Sequence, residues 1–528
     1  MSTKYDAIIV GAGHNGLVSA AMLAKGGYRV LVLEQRDVLG GAAASEETFP
    51  GYCFNTGADD AALFVDEIAE ELFLKMHSLE FRESQAAVFA PQPDGSAITL
   101  WQDEARTAHE LESLNKEDAA RYPAFARQVN QIGRVLQEML LRTPPDVTER
   151  KVGELLSWAK VGLQVRRFGN KGMMEFVRLL PMAIHEYLEE WFQSEPLKGV
   201  LAAPAITGTR QGPRSAGTTL MMLYQSSNGF NRTRFVVGGI GRLSQALAAA
   251  ARSNGAEIRT SSPVARILLK DGQATSVRLV DGEELGARAI ISSADPRRTF
   301  FDLVGPTNLE PRFMRSVRNI IFRGSTAKVN LALSRLPTFN GQQSVEQLSG
   351  HIRISPSLEY LERAYDDAKY GRPSRQPFLD VVIPTLTDAA LAPHGHHVMS
   401  IRMQYAPYGL RESDWDAQRE PLGDLVVDTL SQYAPDLKQF IVHRQVLTPL
   451  DWEREYGLTE GSIFHGQMGL DQLLVMRPVA GWSQYRTPLR NLFLCGAGTH
   501  PGGGVTGAPG YNAAREVARA LESPSYRP

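Results

Sequence analysis

The opening forty residues limit the fold more than any other part of the chain. Tyr5 to Val10 is a short apolar run ending in glycine, the pattern of a strand buried on both faces. Leu17 to Lys25 reads as a helix of small residues stopped by Gly26-Gly27, and Arg29 to Leu33 as a second apolar strand. Between the first strand and the helix stand Gly11, Gly13 and Gly16 in GxGxxG spacing, and Glu34 closes the second strand 18 residues after Gly16. Gly11 permits the tight turn, Gly13 lets the backbone approach a pyrophosphate, and Gly16 lets helix and strand pack closely. The helix N-terminus turns free N–H groups and the positive end of its dipole on the phosphate. Glu34 is placed to accept hydrogen bonds from a ribose diol. The uncharged run Ala7 to Ala24 is long enough to imitate a membrane span. Its glycines, with His14 and Asn15, and the lack of a basic stretch before it favour strand, turn and helix, and with them a cytoplasmic location.

At 528 residues the chain exceeds the size of a single core, and its 43% hydrophobic content is enough to fill two. A formal net charge of −2 gives no overall field that draws it to nucleic acid. Its two cysteines, Cys53 and Cys495, have neither CxxC nor CxxxxC spacing. A disulfide framework, a zinc ribbon and thiol exchange are therefore excluded, no metal site is expected, and redox chemistry needs a cofactor.

Ala61 to Phe235 reads as a mostly helical insertion. Nucleotide-domain grammar returns at Phe235 to Pro296 as turn, helix and four short strands, and again at Asn491 to Leu521 as strand, glycine-rich loop and helix. The expected fold class is α/β. A discontinuous Rossmann-type cofactor domain (1–75, 235–305 and 480–528) encloses an inserted mixed α+β substrate domain (76–234 and 306–479), helical at about 110–205.

The ending separates the candidate nucleotides. After the strand Leu492 to Cys495, glycines at 496, 498, 502, 503, 504, 507 and 510 lead into a helix begun near Pro509. Such a loop lets a flat ring lie against backbone, with the helix dipole aimed at negative charge that develops on it, as on the N1/O2 side of reduced flavin. The expected cofactor is FAD.

Asp6 to Ala43, with its Gly40-Gly41 pair, and "GAGTHPGGGVTGAPGYNAA" together resemble the FAD-dependent phytoene desaturase (carotenoid desaturase/isomerase) family, within the wider amine-oxidase-like flavoproteins. The likeness runs along essentially the whole chain, through "VVGGIGRLSQAL", "SPVARI", "STAKVNLALSRLP" and "SIFHGQMGLDQLLVMRP". It implies that Gly11, Gly13, Gly16, Glu34, Arg36 and Gly41, with His14, Asn15, Gln35, Gly40 and Ala42 beside them, hold the adenosine and pyrophosphate. It implies also that Val264 meets the adenine through its backbone and that Gly496, Gly504, Val505 and Thr506 lie along the isoalloxazine. Gly238-Gly239-x-Gly241 imitates a second dinucleotide turn, but its strand is short and no acid follows at the right distance, so it reads as a loop near the flavin.

A flavin enzyme that oxidises a C–C bond must hold the donor carbon about 3–3.5 Å from N5 and exclude water, which favours an apolar cavity. The expected reaction is dehydrogenation of an apolar small molecule by hydride transfer to N5, with reoxidation by O2 or a quinone. Isomerisation, amine oxidation and a regulatory role without turnover stand as alternatives. Lys328 resembles in position the lysine near N5 of the amine-oxidising cousins, or is a buried lysine paired with a carboxylate. Val505 stands where the cousins carry an aromatic, which weakens the amine reading. His465 is a candidate proton acceptor or a turn residue, His500 a brace for the flavin loop, and Tyr511 points to the ring or into the core. Leu155, Trp158, Val161 or Gly162, Val165 and Phe168 fall at helical spacing among Lys160, Arg166, Arg167 and Lys171. That stripe is either the core face of a helix or a peripheral membrane contact admitting a lipid-soluble substrate. Homo-oligomerisation is left open.

Overall fold

The computed structural model describes residues 5–145 and 152–523, with side chains at 152–157 outside the description. Five strands form a parallel sheet in the order Glu257–Arg259, Val30–Leu33, Tyr5–Val10, Glu284–Ser292, Leu492–Leu494, and Val264–Lys270 and Gln273–Leu279 extend it as an antiparallel meander. Both faces are covered, which is why these strands are apolar without alternation. Ala7, Ile9, Val30, Val32 and Ile291 face a layer of three helices, His14–Lys25, Gly241–Ser253 and Ala508–Glu522, while Ile8, Val10, Leu31, Leu33 and Ile290 face Ile267, Val277, Phe300 and Phe313. Each such fully buried Ile, Leu or Val contributes about 1.5–3 kcal/mol.

Glycine sets the spacing of the helix layer. A Cβ on Gly16 would lie 2.2 Å from the Gly11 carbonyl oxygen, and one on Gly510 would lie 2.1 Å from that of Asn15. The first and last helices therefore touch backbone to backbone, and the Ser19 hydroxyl crosses the contact to the Gly510 carbonyl at 2.7 Å.

A second, mostly antiparallel sheet runs Ile441–Leu447, Thr326–Leu333, His397–Gln404, Phe378–Val382, His351–Ile354, Ala86–Pro91, Ala97–Trp101. Its two faces differ. Val329, Leu331, Ile352, Leu379, Val381, Met399 and Ile401 pack under the helix Trp415–Ser431. The opposite pleat carries Thr326, Lys328, Asn330, Ser400, Arg402 and Gln404, joined by Ser400 Oγ to Asn330 Oδ1 at 2.8 Å and Thr326 Oγ1 to Gln404 Oε1 at 3.0 Å. The helices Lys116–Leu140, Ile184–Trp191, Glu195–Ile206 and Thr218–Gln225 form a third apolar cluster.

The stretch expected to be mostly helical also supplies the hairpin Ala86–Pro91/Ala97–Trp101 at the edge of the second sheet. Pro93-Asp94-Gly95 turns it, and its pairing with His351–Ile354 is remote in sequence. On the candidate membrane stripe Val161 is buried and the Trp158 indole N–H donates to the Thr143 carbonyl, so these residues face inward; Leu155's side chain lies outside the described residues. Leu163, Met174 and Val177 are exposed instead. Among the described residues no helix is long and apolar enough to cross a membrane.

Gly510→Ala forces the first and last helices apart and lowers stability by about 1–3 kcal/mol, seen as a lower denaturation midpoint. Gly162→Ala, in the helix Val152–Arg167 with open space where its Cβ would stand, leaves the midpoint unchanged or raises it, by up to about 1 kcal/mol. Equal responses would remove the helix contact as the explanation.

Candidate functional site

A cavity of about 360 Å³ begins at the carboxyl ends of the parallel strands and runs to the polar face of the second sheet. Open parallel sheets bind ligands at that end. Its first wall is the expected dinucleotide turn. Gly11 has φ +97° and donates its N–H to the Leu33 carbonyl at 2.8 Å, and Gly13 caps the helix with no side-chain cap and no acid in the first turn. The first N–H groups of a helix have no acceptor within it, so they face the cavity as an anion cradle. Glu34 lies on the wall. One of its oxygens accepts from Ala12 N at 2.7 Å and the other from Arg36 N at 3.0 Å, and each keeps a further lone pair for a ribose hydroxyl. Arg36 is held by both Glu46 oxygens at 2.9 Å, lies over the Tyr456 ring, and keeps a buried Nη1 without a partner. His14, Asn15, Gln35, Gly40, Gly41, Ala42 and Val264 line the same space. Gly16 lies beneath the turn, where closeness to Gly11 is its role.

The opposite wall comes from the other end of the chain: Gly496, Gly504 and Val505 line the cavity. His14, on the first wall, is buried close enough to Gly504, on the second, for that residue's backbone to act on its ring. Thr506 does not reach the cavity; its carbonyl accepts from Val65 N and its hydroxyl from Ala508 N, so it braces the loop from behind. Sequence reading passed over the other braces. Arg477 is fully buried and donates to the carbonyls of Phe464 at 2.6 Å and Ala497 at 2.7 Å. The Tyr224 hydroxyl holds the Gly503 carbonyl, and the Tyr485 hydroxyl holds that of His500. The only sequence signal was an arginine inside an apolar segment.

His465 lines the cavity with φ +55° and a buried, unpartnered Nδ1. Burial lowers its pKa, against the pull of Asp295 and helped by the Arg477 charge, which favours the neutral ring. His500 bonds the Met139 carbonyl at 3.0 Å and serves as a brace. Tyr511 is a correction to the expected catalytic set: its hydroxyl donates to Glu71 at 2.8 Å, and it is not on the cavity wall, because the turn of helix that carries it faces the segment Asp66–Glu71. Gly238, Gly239 and Gly241 are not on the wall either. The preceding strand, Phe235–Val236, pairs with Phe81–Arg82 outside the parallel sheet, and Asn55 and Ser45 already accept from Ile240 N and Gly241 N.

Lys328 lies on the wall, buried, with Nζ 2.7 Å from Asp59 Oδ1 and 3.1 Å from the Gly57 carbonyl. Burial, the largest influence, lowers its pKa against the pull of Asp59. It belongs to a larger ionic cluster on the same wall. Arg402 meets Asp59 at 3.2 Å and Asp380 at 3.6 Å, and His351 meets Asp380 at 2.9 Å and Asp60 at 3.3 Å. Burial alone would depress His351, but Asp380 and Asp60 outweigh it and raise its pKa to about 9. Among the described residues no group of three His, Cys, Asp or Glu could hold a metal, and both cysteines are free.

These features fit a flavin dinucleotide. An uncapped helix start, a carboxylate with spare lone pairs, the orphan Nη1 of Arg36 and a glycine loop at the far end lie along one continuous space.

The model of the family described as flavin containing amine oxidoreductase matches residues 16–521. Pyridine nucleotide-disulfide oxidoreductase domain-containing protein 2 of Rattus norvegicus is 34% identical over 99% of this chain and 95% of its own length. The neurosporene-forming phytoene desaturase of Cereibacter sphaeroides is 26% identical over 96% of this chain and 92% of its own. Among solved structures, a triple mutant of putrescine oxidase superposes with a TM-score of 0.62 at 15% identity, covering 98% of each chain. This last likeness establishes the fold, and the first two bear out the family resemblance drawn from the terminal motifs.

Burial depresses His14 and His500 to about 4 from 6.5. The unfolded chain takes up protons on both below pH 6.5 and the folded chain does not, so stability present above pH 6.5 is lost as pH falls towards 4, by about 3 kcal/mol for each ring. His351 acts with the opposite sign: its contribution, complete below pH 6.5, is lost as pH rises through 9. Denaturation midpoints across this range check both limbs, and His500→Gln should flatten the acid one.

Proposed function

The chain belongs to the flavin-containing amine oxidoreductase family, and from that premise we propose that it dehydrogenates a C–C bond of a largely apolar organic substrate. The observation that carries this reading is the single cavity walled at one end by Gly13 and at the other by Gly504 and Val505, with His465 beside the glycine loop. FAD, when bound, would supply the two-electron acceptor for the hydride.

The remaining work falls to side chains. The N–H groups at the start of the helix His14–Lys25 hold the pyrophosphate, Glu34 the ribose, Val264 the adenine, and Gly496, Gly504 and Val505 bear the ring. Leu63, Phe230, Ile463, Phe464 and Val505 give the substrate carbon an apolar bed and exclude water. His465, neutral and with a free Nδ1, takes the proton left when the second C–H bond breaks. Lys328, held by Asp59, is spoken for electrostatically and positions the segment Gly57–Asp60 against the sheet. The phytoene desaturase among the relatives supports C–C chemistry. Val505, an aliphatic residue on the wall, supports it over amine oxidation, for which an aromatic cage around the amine is wanted.

Anaerobic mixing of the holoprotein with a panel of terpenoid and acyl-chain compounds tests the proposal. The expected outcome is loss of the flavin's visible band together with formation of a desaturated product. An isomerised product of unchanged composition, without bleaching, would make the protein an isomerase, and bleaching by amines alone would make it an amine oxidase. His465→Asn should lower the bleaching rate about 10²-fold or more while flavin stays bound.

A further inference from the structure

The cavity wall formed by the second sheet is not the uniform apolar surface that a pure hydrocarbon would select. Four residues stand in register across four neighbouring strands: Arg353 opposite Asp380, Asp380 opposite Arg402, and Arg402 opposite Lys328. All four line the cavity, and Asp59, Asp60 and His351 complete the cluster. Four cationic groups thus face three carboxylates.

The surplus is localised. Lys328 is hydrogen-bonded to Asp59, Arg402 to Asp59, and His351 to Asp380, with Asp60 on its other nitrogen. Arg353 is different. Its nearest carboxylate oxygen, on Asp380, is 3.6 Å from Nε, beyond hydrogen-bond reach, and that Nε is buried with no partner. The same Asp380 oxygen already binds His351 at 2.9 Å. A guanidinium fork fixed on a strand with unfilled donors is a receptor for a planar anion. We propose that the substrate carries a carboxylate, seated on Arg353, while its apolar part lies against Leu63, Phe230 and Val505. The inference rests on the dehydrogenase reading for the apolar end and adds the chemical class of the other end.

The test is a binding titration of the oxidised holoprotein, read as perturbation of the flavin's visible spectrum and so independent of turnover. The probes are straight-chain carboxylates from butanoate to dodecanoate and the primary amides of the same lengths. The expected result is a carboxylate bound at least about tenfold more tightly than its amide, an advantage abolished by Arg353→Met and reduced but kept by Arg353→Lys. If Arg353→Met fails to retain flavin, Arg353→Lys decides. No carboxylate preference in the wild type, or a preference undiminished in the variant that holds flavin, overturns the proposal. Bleaching by uncharged substrates without carboxylate preference would sink this inference and leave the dehydrogenase reading standing. Carboxylate binding with no bleaching by any compound would do the reverse.

Discussion

The contact on which the rest of the structure depends is the backbone approach of the first helix to the last. Gly510 lets the helix Ala508–Glu522 lie directly on the Asn15 carbonyl, and Gly16 lets the helix His14–Lys25 lie on the turn at Gly11. The His14 ring then comes close to the Gly504 backbone, and one cavity acquires a phosphate-binding end and a ring-binding end. Nearly everything else on that side braces this closure. Arg477 spends its charge on the loop carbonyls, and burial favours the neutral rings of His14, His465 and His500.

The opposite wall follows another logic. There charged groups gather, because β-sheet register sets Arg353, Asp380, Arg402 and Lys328 side by side. The segment Gly57–Asp60 brings Asp59 and Asp60 to Lys328, Arg402 and His351, leaving Arg353 short of a hydrogen bond. An ionic wall costs more desolvation than an apolar one and by itself adds little stability. The cavity is thus not the wholly apolar chamber anticipated from the chemistry, since Lys328 and Arg402 line it together with Leu63, Ile463 and Phe464.

Legibility in the sequence followed locality. The turn at Gly11 to Gly16, the acid at Glu34 and the loop at Gly496 to Gly504 are set by residues within one strand-turn-helix unit, so spacing alone revealed them. The four strands expected between Phe235 and Pro296 are present, because Asp271-Gly272 and Asp281-Gly282 mark their turns. The ionic row was not legible. Arg353, Asp380, Arg402 and Lys328 become neighbours through pairing, and no short-range pattern encodes the order in which strands join a sheet. The hairpin Ala86–Pro91/Ala97–Trp101 is local and its Pro93-Asp94-Gly95 turn could have revealed it, whereas its sheet neighbour His351–Ile354 is remote, as is Glu71, the partner of Tyr511, 440 positions away. Thr506 sat one position beyond the wall, a distinction of side-chain direction that loop sequence does not resolve.

The strand Leu492–Leu494 joins the parallel sheet beside Glu284–Ser292, and the loop after it completes the cavity. The chamber therefore shuts only when the segment 492–505 has joined strands that lie far before it in the chain. Until then the edge of Glu284–Ser292 is an open template for stray pairing, and Leu492–Leu494 is the clasp that ends this exposure. Closure of the cavity is accordingly a long-range step of folding, and a flavin that binds only the closed form adds its binding free energy to the finished state alone.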